Sequence, residues 1–224
     1  MRLRMKKITP SALKNLIAES RLLEADGIGP KVVEAPNGKI IHKLFRRKRW
    51  LSSALFYPYA VRFANNARRL DSLGFNTVEV LEIAHCRSCG YHLLSYEKVS
   101  GCSMRDMVKE SPTKEQFIEL GQFIAQLHQR GVYFRSLHLG NVLRNENNQL
   151  VLIDIADMQF FRRPLSPSQR LRNFRPLLNR PDDRQLISTE NWNALVSAYG
   201  GLAALEASSI TAIKALGDDQ LARG

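Results

Sequence analysis

Leu13, Leu16 and Ile17 follow the helix-starting sequence Thr9-Pro10-Ser11 at helical spacing and predict a helix over residues 10–25. The period then changes. Lys31-Val32-Val33-Glu34-Ala35 and Lys39-Ile40-Ile41-His42-Lys43-Leu44-Phe45 flank Pro36-Asn37-Gly38, and Asn-Gly between β-branched runs predicts a hairpin. From Pro58 to Leu73 the apolar positions Val61, Ala64, Ala67, Leu70 and Leu73 return to helical spacing, with Gly74 as the stop. Val78 to Ile83 and Tyr91 to Val99 predict two strands joined by Cys86-Arg87-Ser88-Cys89-Gly90.

Beyond Gly101 the pattern becomes helical. Ser111-Pro112 with Glu115 opens a helix to about Arg130, with Phe117, Leu120, Phe123, Ile124 and Leu127 on one face. A loop, a short strand pair and an apolar run ending at Asp154 follow; the tail from Asn191 to Leu216 is helical, broken at Gly200-Gly201. The expected fold is α+β and two-lobed. Residues 1–101 form a β-rich N-lobe with one helix, and residues 102–224 a mainly helical C-lobe carrying the catalytic-type and metal-type loops. The cleft between such lobes is the natural ligand site.

The chemistry concentrates after Leu127-His128-x-x-Gly131, where a loop carries Asn141 and a strand ends at Asp154. An amide oxygen and a carboxylate, presented about a dozen residues apart, suit Mg²⁺, which takes few protein ligands and keeps waters. Taken singly, Asn141 caps a turn and Asp154 ends a strand. Lys43 lies within an apolar strand, where an unpaired charge is costly unless an anion meets it; an edge-strand lysine that discourages aggregation is the alternative. Helix 58–73 offers only Asp71 as a carboxylate partner. Gly27-Ile28-Gly29-Pro30 lacks the third glycine of a phosphate-cradling loop, and Pro30 removes a backbone donor. Cys86-x-x-Cys89 is half of many zinc sites, but no second pair exists, so a turn with two thiols is expected.

Charge widens the picture. Lys and Arg number 33 against 21 Asp and Glu, a net +12, which favours anionic partners. One basic cluster is Lys43, Arg46, Arg47, Lys48 and Arg49; the other holds Arg162, Arg163, Arg170, Arg172, Arg175, Arg180 and Arg184. Either also serves as a solvated face. No aromatic stacking platform accompanies the arginines, which speaks against nucleic acid. Three cysteines, no secretory signal and no long apolar run lead to a cytoplasmic expectation.

With those residues in hand, the segment from Leu127-His128-Gln129-Arg130-Gly131 through Asn141 to Ile153-Asp154 resembles the protein-kinase-like superfamily. Within it, the chain is most similar to the small bacterial lipopolysaccharide core kinases, the Kdo and heptose kinase group. Ser136-Leu137-His138-Leu139-Gly140-Asn141-Val142-Leu143 resembles the Asp-Leu-His-Pro-Gly-Asn-Val-Leu loop of small-molecule phosphotransferases. The resemblance implies a bilobal fold with ATP and Mg²⁺ in the cleft. It also implies transfer to a lipopolysaccharide core sugar hydroxyl at the inner face of the inner membrane. Asn141 and Asp154 would hold the metal, Lys43 the phosphates, and Arg162–Arg184 would make peripheral contact with anionic lipid.

Three departures stand out. Phe134 replaces the usual His, Ser136 replaces the catalytic Asp, and Ile155-Ala156 replaces the Phe-Gly after the metal Asp. Serine is no base near neutral pH without activation. His138 either orients or deprotonates the acceptor, or only braces the loop; Asp157 is a further substitute; and a pseudokinase that binds without turnover is the alternative function.

Overall fold

The computed structural model describes residues 4–46 and 58–221, so Arg47, Lys48 and Arg49 of the first basic cluster lie outside the described residues. The chain divides into two compact units, Met1–Ser100 and Gly101–Gly224. The first is sheet-rich and the second mainly helical, so the chain is α+β as expected.

In the first unit, strands β1 (Lys6–Lys7), β2 (Arg21–Asp26), β3 (Gly29–Glu34), β4 (Ile40–Arg46), β6 (Val80–Cys86) and β7 (Tyr91–Glu97) form one sheet, ordered β1-β6-β7-β4-β3-β2. A two-residue strand, β5 (Asn76–Thr77), precedes β6. Side chains alternate across the sheet. Val33, Leu44, Leu93, Ala84 and Cys86 gather with Leu13 of helix α1 (Pro10–Glu19) into one core cluster. Helix α2 (Tyr59–Ser72) buries Phe63, which stacks on Tyr96 of β7. It ends where the sequence expects: Gly74 takes φ +80°, its N–H donates to Asp71 O, and the Phe75 N–H reaches back to Leu70 O.

The predicted helix over 10–25 stops at Glu19, and residues 21–26 are β2. The leucines, Glu24 and Ala25 favour helix locally, but pairing from Arg21↔Glu34 to Asp26↔Gly29 overrides that preference, reinforced by the bond from Arg21 Nε to Glu34. The hairpin at Asn37-Gly38 forms as expected. Its neighbour differs in chemistry: Cys86 and Cys89, expected as thiols, form a disulfide across the β6–β7 turn, while Cys102 is free and exposed. The turn brings the two Cα atoms to 5.3 Å, within bridging reach.

The second unit opens with β8 (Gly101–Ser103), which pairs with β10 (Val142–Asn145), itself paired with β11 (Leu150–Leu152). Helix α3 (Met104–Glu110) precedes α4 (Lys114–Gln129), whose capping box is Thr113 with Gln116 rather than Ser111 with Glu115. A second strand pair joins β9 (Val132–Phe134) to β12 (Met158–Phe160). Helices α5 (Pro167–Asn179), α6 (Pro181–Arg184), α7 (Thr189–Ala203) and α8 (Ala207–Leu221) complete it.

Helices α4 and α7 meet at Gly121, where a Cβ would stand 2.2 Å from Leu195 O. Helix α7 runs through Gly200-Gly201; the break falls at Ala204, in the left-handed region at φ 47°. Phe117, Phe134, Phe174, Trp192 and Tyr199 are wholly buried around these contacts.

Candidate active site

The site begins where α4 ends. Gly131 turns at φ +73°, and no side chain fits there: a Cβ would lie 2.4 Å from Phe161 O and 2.7 Å from Arg163 O. Just before it, His128 is buried within a polar network. Asn173 Nδ2 donates to Phe134 O (2.5 Å), which fixes the amide so that Oδ1 accepts from Phe134 N–H (3.1 Å) and from His128 Nε2 (3.1 Å). His128 Nδ1 is then the acceptor for the Tyr199 hydroxyl (3.0 Å), and that hydroxyl accepts from Arg170 Nη1 (3.2 Å). Arg170 also donates to Leu165 O (2.7 Å) and to Ala203 O (2.9 Å) at the end of α7. Burial, with Arg170 adding its charge, pushes the His128 pKa down to about 3 against the opposing bond to Asn173.

Beyond Phe134 the chain forms the loop that carries Ser136, His138 and Asn141. Leu137 N–H donates to Phe134 O (3.0 Å), and Asn141 N–H to His138 O (2.9 Å). From outside, the wholly buried Asp183 accepts Leu139 N–H (3.0 Å) on one oxygen and Arg105 Nε (2.5 Å) on the other. Arg105 Nη2 reaches His138 Nδ1 at 3.4 Å. Arginine can only donate, so Nδ1 accepts and the ring proton sits on Nε2. The guanidinium covers Gly140 so closely that a Cβ there would meet Nη1 at 2.9 Å. Burial first, then Arg180 and Arg105, push His138 down to about 4, against Asp183 and Asp154. At neutral pH it is a neutral imidazole.

Asn141 Nδ2 donates to Ser136 O (2.9 Å), which turns the amide oxygen Oδ1 the other way. Ile153 N–H donates to Asn141 O (3.0 Å), so the segments carrying Asn141 and Asp154 are joined backbone to backbone. Asp154 itself stands in the left-handed region at φ 53°, ψ 48°, which is rare for a residue with a side chain and clusters at functional sites. A 3-10 turn, Ile155–Asp157, buries Ile155 and Ala156 and leaves Asp157 half-buried. Amide and carboxylate oxygens on two tethered segments are a donor set of the type Mg²⁺ takes.

Lys43 belongs to the first unit. It pairs with Leu94 of β7 and Val32 of β3 mid-sheet, so the edge-strand alternative does not hold. Its ammonium lies 5.9 Å from the ring centres of Phe45 and of Phe63 on α2. Gly27 and Ile28 make the β2–β3 turn, pinned by Arg46, which bonds Asp26 and Gly29 O.

Sequence reasoning missed Arg105, Asn173 and Asp183. The one available signal was an Asp-Asp pair, Asp182-Asp183, inside an arginine-rich stretch. Arg170, counted there as part of a basic surface, is a core residue.

A helix ending in a buried His, a braced loop with Asn141, and a left-handed Asp154 at a strand end belong to the protein-kinase-like class of phosphotransferases. The chain matches the Lipopolysaccharide kinase (Kdo/WaaP) family over residues 37–199, and it belongs to that family. A search of curated proteins found no match. Membership implies use of ATP, typically with Mg²⁺.

Proposed function

We propose that the protein is an ATP- and Mg²⁺-dependent kinase that phosphorylates a hydroxyl of a lipopolysaccharide core sugar at the inner face of the inner membrane. The observation that carries this reading is the tether between Asn141 and Ile153, which holds Asn141 beside the left-handed Asp154.

Asn141 Oδ1 and the Asp154 carboxylate are the proposed metal ligands, and Lys43 the proposed contact to the phosphates. Bound Mg²⁺ supplies neutralisation of the charge on the transferring phosphoryl group. The chain's own contribution is positioning. Ser136 lacks the basicity to take the acceptor's proton. His138, neutral with Nε2–H, is a hydrogen-bond donor, suited to orienting an oxygen rather than to abstracting a proton from it. That leaves Asp157 as the carboxylate proposed to receive the proton. Phosphoryl transfer passes through a loose transition state in which positioning and charge dominate, so a weak base slows turnover without abolishing it.

Ser136 favours a second reading, a pseudokinase that binds nucleotide without transfer. Thermal unfolding with ATP, with and without Mg²⁺, tests the shared premise: a rise in Tm that requires Mg²⁺ is expected, and Asp154→Ala should remove it. No shift, or an equal shift with ATP alone, would overturn the metal-nucleotide assignment. Turnover on a core sugar acceptor then separates kinase from pseudokinase.

A further inference from the structure

We infer that one corner of the second unit, built from Arg130, Phe161, Arg162, Arg163, Arg172 and Arg175, is a docking surface for an anionic lipid bilayer. Two stretches of the chain lack acids altogether: none occurs between Glu119 and Glu146, and none between Asp157 and Asp182. The fold joins them. The β9–β12 register pairs Val132 with Phe160, and Phe161 N–H donates to Gly131 O (2.8 Å). Arg163 O stands against Gly131, so Arg130 and the Phe161–Arg163 segment share one corner. Helix α5 is fastened to β9 by Asn173 on Phe134, and by Arg170 to Leu165, two residues beyond Arg163. It presents Arg172 and Arg175, three residues apart and so on one side of the helix, to solvent.

All five arginines are exposed, and among the described residues none of them forms an ion pair. Five unneutralised guanidinium forks match phosphodiester headgroups. Phe161 is 38% exposed between them, an apolar group suited to the headgroup–acyl boundary. It is the sole aromatic among the exposed large hydrophobic side chains of the described residues, too few for a base-stacking platform. The choice of membrane over nucleic acid also rests on the proposed lipid-borne acceptor.

The test is sedimentation of the full chain with phosphatidylcholine vesicles, with and without phosphatidylglycerol, over a salt series. Binding is expected to require the anionic lipid and to weaken with salt. Each juxtamembrane arginine contributes about 5-fold to partitioning, so R162A/R163A should lose roughly 25-fold in affinity. R87A, an exposed arginine on the other unit, should lose nothing, and the unfolding temperature of R162A/R163A should match the parent. No binding to anionic vesicles, equal binding by R162A/R163A, or tighter binding to a mixed-sequence RNA than to vesicles would each overturn the assignment. The Mg²⁺-dependent ATP shift of R162A/R163A is read separately. Its absence in the parent would count against the kinase reading alone, while vesicle binding would still decide the surface.

Discussion

Asn173 does with one side chain what a neighbouring strand does with its backbone: it takes the N–H and the C=O of Phe134 and still accepts from His128. Asn173→Ala would strand two buried donors, Phe134 N–H and His128 Nε2–H, each costing about 1–3 kcal/mol, while Phe134 O keeps the Leu137 N–H. Urea unfolding is expected to show a loss of at least ~2 kcal/mol, and a loss below ~1 would mean that water replaces the amide. The histidines give a second, pH-dependent signature. His128 and His138 are held near 3 and 4, and His42 is lowered by burial, against an unfolded value of 6.5. Below pH 6.5 the unfolded chain binds protons that the folded chain refuses, so stability falls as pH drops and the loss levels off below the folded values. Lys98 and Arg21 hold the Glu34 carboxyl below its ordinary 4.5, and its contribution fades only under that value. Stability lost between pH 6.5 and 4.5 therefore reports the histidines, and an unchanged midpoint across that window would contradict their buried, neutral state. Little of this network was legible in the chain, because Asn173 lies 39 residues from Phe134 and 45 from His128. The residues proposed to touch metal were legible because their spacing is local.

At the scale of elements, local signals succeeded where the chain itself supplies the stop. Gly38 and Gly74, both at positive φ, closed a hairpin and a helix that the pattern had placed. Residues 21–26 failed for the opposite reason: their strand exists through a partner, β3, that no local period reveals. Gly200-Gly201 misled because glycine weakens a helix without ending one that is packed, and Ala204 supplies the actual turn. Gly121 carried no signal at all, yet it sets how closely α4 and α7 approach. Gly121→Ala would drive a methyl into Leu195 O, and overpacking of this kind costs about 1–3 kcal/mol. Helix propensity favours alanine by up to ~1 kcal/mol, so the sign of the measured change decides which dominates. Destabilisation in thermal or urea unfolding is the expected outcome.

Over the whole molecule, a net charge of +12 sets repulsion against ion pairs that, among the described residues, mostly have an exposed partner and are individually weak. Screening therefore relieves more than it removes, and Tm is expected to rise from low to physiological ionic strength. A fall would show that the ion pairs outweigh the repulsion. Not every arginine takes part in that field. Arg170 is 3% exposed, with its guanidinium spent on Leu165, Tyr199 and Ala203. An arginine-selective dicarbonyl reagent would therefore mark Arg172 and Arg175 on the same helix and spare Arg170 while the fold is closed. Delayed labelling of that one side chain would clock the opening of the second unit, a stopwatch that needs no introduced probe.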